Sequence, residues 1–264
     1  MADSVKSVRA LARGLEVFKA LQQQPAASLQ DLHRDTGLSK PTLLRILKTL
    51  EEGGMARRSL GDGRYRVSAN VRFFGRDLGE HDAIAEQAAP ELDRLCRELL
   101  WPSDIAVYKD GAMEILETSR PQTPFLVNRG RMGYRVHMLM SAVGCAYLAF
   151  CPAGEREEIL ARLRHSDDPY DRKARNRAAV AAELAECRRR GYATREPGYG
   201  WWLPGRGAEA IAVPVRQGRR VLAAINLTWV AGAVPLEQIV AAHLSRLQAA
   251  AAAIAARIPQ SAAP

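Results

Sequence analysis

The stretch "GLSKPTLLRILKTLEEGG", Gly37 to Gly54, places Leu43, Leu47 and Leu50 at steps of three and four, the repeat that gathers side chains on one face of an α-helix. Ser39, Lys40, Thr42, Arg45 and Lys48 fall along another side. Ser39 can cap the helix start, and Pro41 is tolerated in the first turn because that turn has N–H groups without partners. Upstream, Ser28 followed three residues later by Asp31 has the spacing of a capping box, opening a short helix that buries Leu29 and Leu32 and ends at Gly37. Two short helices joined by a glycine-containing turn form a helix-turn-helix.

Outward from this pair, residues 4–23 carry Val8, Leu11, Leu15 and Phe18 on one helical face, and Pro25 stops that helix. After Gly53-Gly54, "MARRSLGDGRYRVS" alternates and turns at Gly61-Asp62-Gly63, which predicts a hairpin, or wing, bearing Arg57, Arg58, Arg64 and Arg66. A recognition helix enters the major groove by its N-terminal end. Arg45 has the planar fork to grip guanine, Ser39 and Lys40 suit phosphate, and the wing arginines are placed to meet the backbone or minor groove beside them.

The charge agrees with this reading. Of 38 Lys plus Arg and 29 Asp plus Glu, 14 and 9 fall in residues 1–80, a net of +5, leaving +4 for the much longer remainder. An excess concentrated at the head favours an anionic partner such as double-stranded DNA. Cys96, Cys145, Cys151 and Cys187 show no CxxC spacing and no companion histidine cluster, so reduced thiols without a metal site are expected. No signal peptide or uncharged run of membrane-spanning length is evident, which predicts a cytoplasmic protein away from membranes.

From residue 70 the chain is expected to continue as a linker helix to 89, with a break near Gly79 and a kink at Pro90. Beyond Pro102 short strands follow: "DIAVYKDGAMEILET" turning at Asp110-Gly111, then "PFLV" and "YRVHML". "SAVGCAYLAF" (141–150), Glu155–Leu163 and Ala178–Gly191 read as helices; "AIAVPV" and "RVLAAINLTW" read as strands joined at Gln217-Gly218. A last helix runs from Pro235 to Ile258. The fold class is therefore α+β: a winged helix-turn-helix over 1–69, a linker over 70–89, a second domain over 90–258 and a disordered tail over 259–264.

Catalytic signatures are absent. Ser141, His137 and Cys145 lie close in sequence, yet no GxSxG elbow frames them, and no GxGxxG, P-loop or HExxH occurs, so neither cofactor nor catalytic residue is assigned. A hydrolase-like body with an appended DNA-binding head is the alternative that assays on phenolic esters would test.

The blocks "SVRALARGLEVFKAL", "SLQDLHRDTGLSKPTLLRILKTLEEGGMARRS" and "GDGRYRVS", followed by "SAVGCAYLAFCP", "RRRGYATREPG" and "AIAVPVRQGRRVLAAINLTW", resemble IclR-type bacterial transcriptional regulators across nearly the whole chain. "LLWPSDIAV", "YLAFCP" and "PLEQIVAAHLSRLQAAAAAI" look closest to the branch controlling degradation of phenolic acids such as hydroxyphenylpropionate. The resemblance implies a GAF-like effector domain, a small aromatic or other organic acid as effector, homodimers or tetramers, and contact with RNA polymerase if the protein activates. It leaves open activation versus repression and a non-aromatic acid.

A pocket of this kind has an apolar wall for a ring and the free N–H groups of a helix start for a carboxylate. Ser141, Ala142 and Val143 form that helix start, with Leu139 on the strand before it. The resemblance places Asn226 and Thr228 on one face of a late strand lining the same pocket. The chain departs from the family pattern at His137, where proline is frequent, at Ala210, where some members carry cysteine, and at Trp201-Trp202, in a loop that often supplies an acid. Those departures imply more aromatic wall and less negative charge, with Arg129, Arg131 and Arg135 as candidates for the carboxylate.

Overall fold

The computed structural model describes residues 6–71, 79–125, 132–199 and 207–258. The chain divides into two compact units, Met1–Leu78 and Gly79–Pro264.

In the first unit, helices α1 (Arg9–Gln22), α2 (Leu29–Thr36) and α3 (Lys40–Glu52) precede a hairpin of β1 (Ala56–Arg58) and β2 (Tyr65–Val67). The capping box forms as its spacing predicts: Asp31 N–H donates to Ser28 Oγ at 3.1 Å, and Ser28 N–H donates to Asp31 Oδ2 at 2.9 Å. Gly37 closes α2 at φ 66°, a conformation that costs glycine nothing. Ser39 occupies the N-cap of α3 without capping it through its side chain; its hydroxyl pairs with that of Thr42 at 2.9 Å instead. Ala27 exchanges backbone hydrogen bonds with Tyr65, tying the wing to the segment before α2.

Val17, Leu21, Ala27, Leu32, Leu43, Leu47, Ala56 and Tyr65 form the core of this unit. The apolar face of α1 noted from spacing is not the one that packs there. Val8, Leu11 and Leu15 are 66%, 61% and 51% exposed, while Val17 and Leu21 are fully buried.

The second unit is a six-stranded antiparallel sheet between helices. Its elements are α4 (Glu80–Leu99), β3 (Asp104–Lys109), β4 (Ala112–Thr118), β5 (Arg135–His137), α5 (Ala142–Phe150), α6 (Ala153–Arg164), α7 (Arg177–Arg190), β6 (Ala193–Thr194), β7 (Ala208–Gln217), β8 (Arg220–Val230) and α8 (Leu236–Arg257). Strand order is β5-β4-β3-β8-β7-β6. Short 3-10 segments at Arg120–Gln122 and Pro169–Arg175, and strand β6, have no counterpart in the sequence reading.

Three expectations shift. Helix α4 runs unbroken through Pro90, with Ile84, Ala88, Leu92, Leu95 and Leu99 in one core, so residues 79–89 belong to the second unit rather than to a separate linker. Burial along that face offsets the hydrogen bond Pro90 cannot make. Strand β5 covers only Arg135–His137, because Met138–Met140 turn directly into α5. The "PFLV" segment is a bend at Pro124–Phe125, and its remainder, like the tail 259–264, lies outside the described residues.

Alternation along β7 decides which helix lies where. Ile211, Val213 and Val215 face α4 and α8, whereas the small Ala210 and Ala212 face α5. Helix α5 approaches the backbone so closely that a Cβ on Gly144 would lie 2.3 Å from the Met138 carbonyl oxygen. Helix α8 is long and apolar enough to cross a membrane by length and composition. Its Ile239, Leu247, Ala250 and Ile254 pack instead into the core with β7 and β8.

Candidate functional site

Leu43 and Leu47 are buried beneath α3 and leave Ser39, Lys40, Pro41, Arg45 and Lys48 exposed, with Thr42 half-buried. The start of α3 thus offers hydroxyls and cations to one side. Lys48 lies 3.8 Å from Glu52, an exposed pair of little strength. On the wing, Arg57 and Arg66 are directly opposed across the strands. Arg66 forms a two-bonded pair with Asp62 at 2.9 and 2.7 Å, and that pairing holds the Asp62 carboxyl well below its ordinary range. Arg58 Nε donates to the Gly63 carbonyl at 3.0 Å, and Arg64 lies 3.7 Å from Asp31. Arg58 and Arg66 therefore brace the turn; Arg57, Arg58 and Arg64 are exposed and Arg66 is half-buried.

In the second unit a cavity of about 40 Å³ lies at the start of α5. Of the residues expected there, Ser141, Ala142, Val143, Ala210 and Asn226 line it. Ser141 caps α5, accepting from Gly144 N–H at 3.1 Å while its hydroxyl donates to the His137 carbonyl at 2.8 Å.

The others lie elsewhere. Arg135 is exposed and donates to the Lys109 and Asp110 carbonyls, each at 2.9 Å, so it braces the β3–β4 turn. His137 belongs to a cluster with Tyr199, 2.7 Å from Nδ1, and Asp168, 3.0 Å from Nε2. Leu139 is core, and Thr228 is fully buried off the cavity wall. Trp201, Trp202, Arg129 and Arg131 lie outside the described residues.

Besides Ser141 and Asn226, the polar groups of the cavity come from Asp104, Thr118, Arg120, Tyr134 and Arg195, none of which the sequence reading singled out. Asp104 Oδ1 accepts from Thr118 Oγ1 at 2.7 Å and Arg120 Nε at 2.8 Å; Oδ2 accepts from Arg120 Nη2 at 2.6 Å and Asn226 Nδ2 at 3.0 Å. Asn226 Oδ1 in turn accepts from Asp104 N–H at 2.7 Å. Burial alone would push the Asp104 carboxyl up; the Arg120 charge and the bonds to Arg120, Asn226 and Thr118 outweigh it and hold the carboxyl below its usual range. A carboxylate within an apolar strand was the one available signal, and its partners lie far along the chain.

Arg195 donates to the Tyr199 carbonyl at 2.8 Å and lies over that tyrosine's ring. Burial pushes its pKa down to about 10, still charged at neutral pH. Asp104 pairs with Arg120, and Arg195 is a second arginine on the cavity wall. Arg195 and Ala210 also line an adjoining cavity of about 490 Å³ walled by Trp229, Val234 and Leu236. Cys145, close in sequence to Ser141, is buried and its thiol donates to the Met138 carbonyl; burial holds that thiol far above its ordinary pKa, which suits packing and not nucleophilic attack.

Comparison with known proteins agrees with both halves. The IclR helix-turn-helix domain matches residues 10–59, and the bacterial transcriptional regulator IclR C-terminal domain matches residues 78–256. A probable transcriptional regulator, SauR of Cupriavidus necator, is 29% identical over 243 residues, 86% of this chain and 90% of its own. An IclR family transcriptional regulator from Brucella abortus has the same fold at 24% identity and TM-score 0.56, over 96% of this chain and 94% of that one. So does an IclR homolog from Microbacterium hydrocarbonoxydans complexed with 4-hydroxybenzoate, at 23% identity and TM-score 0.53, over 96% and 100%. With a helix-turn-helix head, a GAF-like α+β body and both family domains in order, the chain belongs to the IclR family of DNA-binding transcriptional regulators and is not an enzyme.

Proposed function

We propose that this regulator senses a small aromatic carboxylic acid in the cavity beside Arg195 and, in the cytoplasm, controls genes for its catabolism from a partly palindromic operator. The observation that carries the reading is a cavity that brings Arg195 to the start of α5, beside Ser141, Ala142 and Val143. A ligand carboxylate there gains the Arg195 charge and the free N–H groups of Ala142 and Val143, while the adjoining space walled by Trp229, Val234 and Leu236 receives a ring. The small size of the first cavity, about 40 Å³, favours a second reading, a short aliphatic acid confined to it.

On the DNA side, Ser39, Lys40 and Pro41 meet phosphate, Thr42 and Arg45 meet base edges, Lys48 flanks them, and Arg57, Arg58 and Arg64 follow the backbone from the wing. The exposed face Val8, Leu11, Leu15 of α1 supports pairing of two heads, each reading a half-site about one helical turn from the other. Activation would add a contact with RNA polymerase, and two dimers would make the tetramer.

Thermal denaturation with benzoate, 4-hydroxybenzoate, pyruvate and cyclohexanol tests the sensor. Acids that bind the native state raise the midpoint, and Arg195→Gln abolishes the rise. A midpoint indifferent to every acid, or a rise that survives Arg195→Gln, refutes the assignment; a rise with pyruvate alone selects the aliphatic reading.

A further inference from the structure

The tip of the wing, residues 60–63, is a closed turn. Ser59 N–H donates to the Arg64 carbonyl and Gly63 N–H to the Ser59 carbonyl, each at 2.9 Å. Arg64 N–H donates to Asp62 Oδ1 at 3.0 Å, Arg66 grips the same carboxylate through two bonds, and Arg58 Nε holds the Gly63 carbonyl. Gly61, Asp62 and Gly63 are residue types that turns select, and Gly63 takes a φ of 67°. Leu60 has no such reason to stand beside them.

Its side chain is fully exposed, more so than any other large apolar residue among those described, and takes no part in the core of the head. A lone exposed leucine is common on protein surfaces; what sets this one apart is its mounting. Arg57 and Arg58 precede it and Arg64 follows, all exposed, and Arg57 faces Arg66 across the strands. Cations therefore flank the tip on both strands of the hairpin. Such a surround draws a polyphosphate, and the minor groove between two phosphate chains is where proteins insert apolar side chains between bases. A braced turn also loses little freedom on binding, so it can hold a side chain against the resistance of stacked bases.

We propose that Leu60 is a wedge: it enters the minor groove of the operator, parts one base step and kinks the duplex, with Arg57, Arg58 and Arg64 on the phosphates to either side. The proposal rests on the reading of the wing as a DNA-contacting element. The steps that unstack most readily, TA and CA/TG, are its targets, so the wedge adds sequence preference at a position where no base edge is read. That role is separate from the reading of base edges by α3 in the major groove.

The test uses the full chain and a duplex that the wild type selects from a random pool. On circularly permuted fragments the wild-type complex shows a bend of about 20° or more. Leu60→Ala loses that bend and about tenfold in affinity, the worth of burying most of one leucine side chain, and keeps the salt slope because no phosphate contact is lost. Leu60→Met, still apolar and of similar volume, keeps the bend. Arg57→Gln lowers the salt slope by about one. Because Leu60 lies outside the core, both of its variants melt with the wild type. An unbent wild-type complex, or a Leu60→Ala complex bent like the wild type, overturns the wedge and leaves the wing as a DNA contact. An intact bend with an altered oligomeric state of the DNA-free Leu60→Ala chain assigns the leucine to a protein partner and also overturns it. A salt slope indifferent to Arg57→Gln and to Arg64→Gln removes the wing from the DNA altogether, a failure of the underlying reading that takes the wedge with it.

Discussion

Replacing Arg120 by methionine leaves Asp104 buried without its charge partner. The two side chains are 5% and 3% exposed, and two of the bonds to the carboxylate, at 2.6 and 2.8 Å, come from the lost guanidinium. Breaking a buried pair from one side costs about 3–5 kcal/mol, since the remaining charge has given up water and keeps only the Thr118 and Asn226 hydrogen bonds in return. For a domain of this size each kcal/mol moves the midpoint by about 2–4 °C, so a fall of about 6–20 °C is expected at pH 7, read by calorimetry or circular dichroism. The sign of the pH effect follows from the depressed Asp104 pKa. Its stabilisation is present above the unfolded value near 3.8 and is lost as pH falls through the lower folded value, so the gap between wild type and Arg120→Met narrows in acid. The double variant Asp104→Leu, Arg120→Met recovers much of the loss. A single variant melting within about 2 °C of wild type at pH 7 would refute the reasoning, since burial sets the size of the penalty.

Three further outcomes are expected. Arg45→Ala flattens sequence preference, while Lys40→Ala weakens all duplexes alike and lowers the salt slope by about one; footprints and salt titrations separate them, and an unchanged footprint removes Arg45 from base reading. Leu11→Asp on the exposed face of α1 lowers affinity for a palindromic operator by about tenfold or more and leaves a single half-site unaffected, as gel shifts on both probes report; equal loss on both contradicts head pairing. Gly144→Ala drives a methyl into the Met138 carbonyl, costs about 1–3 kcal/mol or more and disturbs the start of α5, so both the melting midpoint and the benzoate-induced shift decline.

Signals that act within a few residues were legible. Ser28 with Asp31, Gly37 after α2, the Asp110-Gly111 and Gly218 turns and the apolar runs of β7 and β8 all operate between near neighbours, so most of the strand and helix order emerged from them. The candidate cavity at the start of α5 was only half legible. Ser141, Ala142 and Val143 follow from the local pattern of a helix start, whereas Ala210 and Asn226 came from the family resemblance. Arg135, at the start of β5, turns its guanidinium to the Lys109 and Asp110 carbonyls and is not on the cavity wall, a direction no local pattern carries.

What the sequence by itself determined is most of the elements and the cationic head, since capping, turn chemistry and periodicity are properties of short segments, and, through the resemblance of its motifs, the family. Tertiary structure alone decided which face of α1 is covered, that α4 continues through Pro90, and that Asp104, Arg120, Arg195 and Asn226 converge. Residues 122 positions apart meet because β3 and β8 pair in one register. That register is fixed by closing the whole sheet around its core, a cooperative free energy that no local pattern encodes.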